Sequence, residues 1–154
     1  MLDEVEAAAA SDLHRSRASA EALASGRGWG PVTVLRGLRE RGAGRWTGLT
    51  RTEIDERWPD ALRATPVAIP DGETVEAVTA RAVVALHRIA DLHPGRSVVA
   101  VSHGALIRTV VAHLGATPAP VPNLAGLWVE VTDRSLQAGG PAGPLGDGAI
   151  EAVG

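Results

Sequence analysis

Apolar and polar positions change their period several times along the chain, and each change marks an element. Residues 5–10 hold a single polar side chain, Glu6, among Val5 and four alanines. Alanine favours a helix by propensity, yet a short apolar run ending at Ser11-Asp12-Leu13 also suits a buried strand, so the two signals conflict. Ser16 to Ala24 reads as a helix stopped by Gly26, and Pro31 to Leu35 reads as a strand from its β-branched content.

Thr50 and Glu53 have capping-box spacing before a short helix that Pro59 ends, and Ala61 to Pro70 reads as an irregular loop. From Val75, apolar residues recur at Val78, Ala82, Leu86, Ile89 and Leu92, the spacing of an amphipathic helix that Pro94-Gly95 terminates. Ser97 to Ser102 is a small apolar run suited to a parallel strand covered on both faces, and it is expected at the centre of a sheet. Gly104 opens another helix through Leu106, Val110 and Leu114, and Leu127 to Thr132 reads as a last strand. The fold class is therefore α/β with helices on both faces of the sheet. From Arg134 onward the chain is rich in Gly and Pro, which predicts one domain over residues 1–133 and a disordered tail over 134–154.

A chain of 154 residues suits one domain with a real core. The net charge is -3 and the 15 Lys+Arg residues are spread without a dense basic block, which argues against a nucleic-acid surface. Cysteine is absent, so disulfides and thiolate metal sites are excluded, and no metal site is expected. Met1-Leu2-Asp3-Glu4 is acidic, unlike a signal peptide, and no apolar run approaches the roughly 18 residues of a membrane span. A cytoplasmic protein without membrane contact is the expectation.

Three clusters carry candidate chemistry. Val101-Ser102-His103-Gly104 places a histidine at the carboxyl end of a strand where a helix begins, the position at which open α/β sheets bind ligands and helix N-H groups favour anions. Gly104 lets a ligand approach the backbone, and Arg108 follows one turn on. Ser11 to Arg17 is a second such strand end, with arginines whose planar forks suit phosphate oxygens. Leu38 to Leu49 is the third; alone it would read as a charged turn.

Together these segments resemble the histidine phosphatase superfamily, which includes the phosphoglycerate mutases. Ser11 to Glu21 is similar to that family's Ser-x-Leu-x-Arg-Ala-x-x-Thr-Ala segment, with Ser16 for its Ala and Ser19 for its Thr. Leu38 to Leu49 resembles Leu-x-Glu-x-x-x-Gly-x-Trp-x-Gly-Leu, Asp71-Gly72-Glu73-Thr74 resembles Gly-Gly-Glu-Ser, and Val101 to Arg108 resembles Val-Ser-His-Gly-x-x-x-Arg. The resemblance implies a three-layer α/β/α sandwich with a mostly parallel sheet, and phosphomonoester hydrolysis as the activity. It makes Arg15 a phosphate-gripping residue, Glu40 the proton donor to the leaving oxygen, and His103 the second histidine of the phosphate pocket. Ser11, Gly104 and Thr74 line the substrate side, although Thr74 is also placed to cap the long helix. No cofactor is implied, and the partner is a small phosphorylated metabolite or another anion.

The family's nucleophile is the histidine of an Arg-His-Gly tripeptide ending the first strand, and no Arg-His-Gly occurs here. His14, His87, His93 and His113 stand in no comparable context. The first central strand is thus expected to be absent, with the chain starting at the family's second strand. Four or five buried apolar side chains at roughly 1.5 to 3 kcal/mol each amount to about 10 kcal/mol. That matches the roughly 5 to 15 kcal/mol of a whole domain's stability. The expectation is a truncated, N-terminally incomplete phosphatase domain that is marginal alone, exchanges strands in a homodimer, or is part of a longer product. Two other readings stay open. One is an acid/base isomerase or lyase that uses Glu40 and His103 on a small anion, and the other is an inactive phosphate-binding remnant.

Overall fold

The computed structural model describes residues 4–64, 67–123, 125–133 and 135–142. Strands β1 (Val5–Ala10), β2 (Thr33–Val34) and β3 (Ser97–Val101) form one parallel sheet in the order β2-β1-β3. Helix α1 (His14–Arg27) follows β1, α2 (Arg51–Arg57) follows β2, and α3 (Val75–Leu92) leads into β3. Helix α4 (Gly104–His113) starts directly after β3, and β4 (Gly126–Val131) and β5 (Leu136–Ala142) pair as an antiparallel hairpin. Among the described residues, no helix is long and apolar enough to cross a membrane.

Tertiary packing settles the conflict over residues 5–10 in favour of a strand. β1 has a neighbour on each side, and Ala8, Ala9 and Ala10 are at most 1% exposed. Ala9 packs with Leu38, Ala85 and Ile89, with Leu35, Val98 and Ala100 against them, so α3 covers one face. Alternation turns Ala8 and Ala10 to the other face, where α1 packs and buries Ser16, Ala20 and Ala24. Side chains this small let both helices approach the backbone closely, which is why helix propensity loses here. A second core cluster, Val78, Ala82, Leu106 and Val110, joins α3 to α4 and takes in Leu86, Leu114 and Val129.

The strand expected at the centre is instead at an edge. β3 pairs with β1 on one side, has no strand partner on the other among the described residues, and all five of its residues are only half-buried. Its apolar composition suits two covered flanks, and among the described residues one of them is paired. α1 runs past Gly26 to Arg27, and Gly28 ends it in the left-handed conformation with φ of 69°. Strand pairing also extends into the segment expected to be a tail. Leu136 and Gln137 pair with Val131 and Glu130, and Gly139 lies with its Cα against Trp128, so glycine here gives close backbone approach rather than disorder. Residues 143–154 lie outside the described residues.

Candidate active site

The parallel register aligns Ala10 with Val101, so Ser11 and His103 leave the sheet side by side at its carboxyl end. Both are buried. The Ser11 hydroxyl is 2.7 Å from His103 Nε2. Ser11 N-H reaches Val101 O at 3.3 Å and Ser16 Oγ at 3.2 Å, while the Ser16 hydroxyl donates to Val101 O at 2.6 Å. Ser16, the departure from the family's alanine, thereby pins α1 to the end of β3.

Glu40 arrives from the segment after β2. The Ser102 hydroxyl donates to Leu38 O at 2.8 Å, tying that segment to the end of β3. Glu40 Oε1 accepts from Arg41 N-H at 2.9 Å, and Oε2 lies 3.5 Å from Ala105 N-H in the first turn of α4. The Glu40 carboxyl therefore lies at the start of α4, the helix that opens directly after His103.

Arg81 on α3 holds this loop in shape. Its guanidinium donates to Gly37 O and Arg39 O at 2.8 Å, to Glu40 O at 3.1 Å, and in bidentate fashion to Glu73 at 2.6 and 2.8 Å. Glu73 also accepts from Gly42 N-H at 3.1 Å, and Arg41 donates to the carbonyls of Glu73 and Val67. Arg81 hydrogen bonds keep the Glu73 carboxyl below its ordinary value of 4.5. Gly44 completes the junction. Its φ is 46°, and a Cβ there would stand 2.3 Å from Pro70 O.

A second ion pair braces the opposite wall. Arg39 donates to both oxygens of Asp12 at 2.6 and 2.7 Å, and Arg36 lies 3.4 Å away. The Arg39 hydrogen bonds hold the Asp12 carboxyl below its usual 3.8. Arg15, in the first turn of α1, is exposed; its carbonyl accepts from the Ser19 hydroxyl at 3.0 Å, and its guanidinium makes no ion pair or hydrogen bond among the described residues. Burial lowers the pKa of His103 below its ordinary 6.5, the charge of Arg15 lowers it further, and Glu40 opposes both. The site thus brings together an imidazole that resists protonation, a guanidinium without a partner among the described residues, and the Glu40 carboxyl group.

Of the residues singled out from the sequence, Ser11, Glu40, His103 and Gly104 converge, and Arg15 is near enough to act on His103. A Cβ on Gly104 would stand 3.3 Å from Arg108 Nη1, so Arg108 folds back over the start of α4. Ser11 spends its hydroxyl on His103, and Thr74 caps α3 by accepting from Ala77 N-H at 3.2 Å. Trp46, in the third motif, is a packing residue set 6.3 Å from Trp58. Asp12, Arg39, Glu73 and Arg81 were not legible as site residues. Most of Arg81's acceptors are backbone carbonyls some 40 residues away, at positions 37, 39 and 40, and leave no side-chain signature. Among the described residues, no group of three His, Asp or Glu is arranged to hold a metal ion.

This parallel sheet, with its paired strand ends and a histidine at the start of a helix, defines an α/β protein of the phosphoglycerate mutase-like fold. The chain belongs to the histidine phosphatase superfamily (branch 1), whose family model matches residues 2–135. It is 38% identical over 106 residues to phosphoglycerate mutase-like protein 4 of Arabidopsis thaliana, covering 65% of this chain and 46% of that one. It is 31% identical over 150 residues to glucosyl-3-phosphoglycerate phosphatase of Mycolicibacterium vanbaalenii, covering 85% and 65% respectively. The chain therefore spans about half to two thirds of the length of these relatives. Among solved structures, Bacillus stearothermophilus YhfR superposes with a TM-score of 0.77 at 28% identity, covering 89% of this chain and 73% of that one. A mycobacterial glucosyl-3-phosphoglycerate phosphatase in complex with inorganic phosphate gives 0.73 at 26% identity, covering 88% and 74%.

Proposed function

We propose that this chain carries the phosphate-gripping and proton-donating part of a phosphomonoester hydrolase site. The observation that supports it is the convergence of His103, Glu40 and Arg15 at the carboxyl end of β1 and β3, beside the first turn of α4. Arg15 and the helix N-H groups offer charge and donors to phosphate oxygens, and His103 adds a donor from a buried, fixed ring. Small phosphorylated metabolites are the substrate class, in keeping with the phosphatase among the relatives. A cytoplasmic location belongs to the same proposal.

The nucleophile, on this reading, is the histidine of an Arg-His-Gly tripeptide on a strand encoded ahead of residue 1. Two features support it. β3 and β4 each keep one edge without a strand partner among the described residues, and the relatives are longer than this chain. The histidine nitrogen attacks phosphorus, the N-P bond forms as the ester P-O bond breaks, and Glu40 gives its proton to the departing oxygen. Water, deprotonated by Glu40, then breaks the N-P bond and releases inorganic phosphate.

The test compares this chain with the product of the same reading frame extended upstream, using p-nitrophenyl phosphate. The extended protein is expected to release phosphate through an acid-labile phosphoenzyme, and this chain to release none. Turnover by residues 1–154 alone, or an upstream frame without a strand ending in Arg-His-Gly, contradicts the proposal. Turnover of a small anion without phosphate release would favour the isomerase or lyase reading instead.

A further inference from the structure

The buried pair at the end of the two strands determines which nitrogen of His103 carries the proton. Ser11 is fully buried, and its hydroxyl oxygen has two neighbours among the described residues, Leu13 N-H at 3.3 Å and His103 Nε2 at 2.7 Å. An amide N-H only donates, so Leu13 occupies a lone pair of the oxygen and leaves its single hydrogen to be placed. Among the described residues, the one acceptor within reach of that hydrogen is Nε2. The opposite arrangement, with Nε2-H donating to the oxygen, strands a hydroxyl hydrogen in a buried site, which is the costlier state.

We infer that Ser11 is a positioning residue that holds the neutral His103 ring as its Nδ1-H tautomer, so that Nδ1-H is a fixed donor toward a ligand oxygen. Nδ1 has no partner among the described residues and is not sealed from solvent, unlike Trp46 Nε1, which is buried without a partner. Ser16 accepts from the Ser11 amide and donates to Val101 O, so the backbone that carries the Ser11 hydroxyl is anchored to the end of β3. Ser11 thus acts through His103 rather than by touching the ligand, which explains a hydroxyl in the motif that is fully buried.

The part of the inference that concerns a ligand rests on the phosphate-site reading above, whereas the tautomer does not. Two-bond proton-nitrogen correlation spectra of the ¹⁵N-histidine-labelled chain at pH 7.5 distinguish the two neutral tautomers directly. His103 is expected to show the Nδ1-H pattern in the wild type and to shift toward Nε2-H in Ser11→Ala, while Ser11→Thr keeps the wild-type pattern. Affinity for inorganic phosphate is expected to fall about tenfold in Ser11→Ala and to return in Ser11→Thr. A wild-type Nε2-H pattern overturns the inference whatever the variants do, including a variant that fails to fold. An Nδ1-H pattern with no phosphate bound by the wild type leaves the tautomer standing and overturns the ligand role and the functional reading together.

Discussion

At the scale of single residues, charge in this site is controlled by burial and by arginine. Burial, reinforced by Arg15, depresses the pKa of His103, so the folded chain resists protonation that the unfolded chain accepts below pH 6.5. The unfolded state then binds more protons, and stability declines as pH falls from about 6.5 through the depressed folded value. Urea unfolding at pH 7.5 and 5.5 should show this loss in the wild type and a smaller one in His103→Gln. Equal losses in both proteins would remove His103 as the source. Asp12 and Glu73, both held low by arginine, act lower: their contribution is present above 3.8 and 4.5 respectively and disappears on further acidification. Glu40→Gln in the upstream-extended protein should cost about 10² to 10⁴ in turnover, as removal of a general acid does, while phosphate affinity stays within a few-fold. An unchanged rate would mean that Glu40 is not the donor.

The elements owe their placement to a few contacts that sequence reading finds unevenly. The strand end at His103, the capped helix over Val75–Leu92 and the Thr50–Glu53 capping box were all legible, because each depends on neighbours within a few residues. The strand identity of residues 5–10 was not, since it depends on α1 and α3 arriving from distant segments. The hairpin partner over Leu136–Ala142 was hidden by glycine, which reads as disorder yet permits the close approach to Trp128. The loop bearing Glu40 shows the same limit, because its shape is set by Arg81. Arg81→Met should destabilise the fold by about 2 kcal/mol in chemical denaturation, since it leaves three carbonyls and the half-buried Glu73 carboxylate without their donor. Gly44→Ala should be at least as damaging, because a side chain there meets Pro70 O in a left-handed backbone. Wild-type stability in either variant would show that the loop is held by something else.

For the whole molecule, the dominant feature is the edge of β3 that has no strand partner among the described residues. An apolar strand with an open edge is a template for pairing, so the isolated chain should associate at rising concentration in sedimentation experiments, through strand exchange between copies or edge pairing. A peptide or upstream extension that supplies a strand beside β3, as the proposed function requires, should abolish this and raise the unfolding midpoint. A chain that stays monomeric at all concentrations, with no gain from the extension, would mean that the β3 edge is covered in another way. The motifs identify the family from sequence, yet they do not show that Asp12 pairs with Arg39, which arrives from 27 residues on.

On the proposed function, Arg15, His103 and the first turn of α4 form a phosphate site within this chain. Isothermal titration of the chain with inorganic phosphate tests it most directly. Saturable binding of one phosphate per chain, weakened at least tenfold by Arg15→Gln and by His103→Gln, is the predicted result. Absence of binding, or binding that neither substitution weakens, contradicts it.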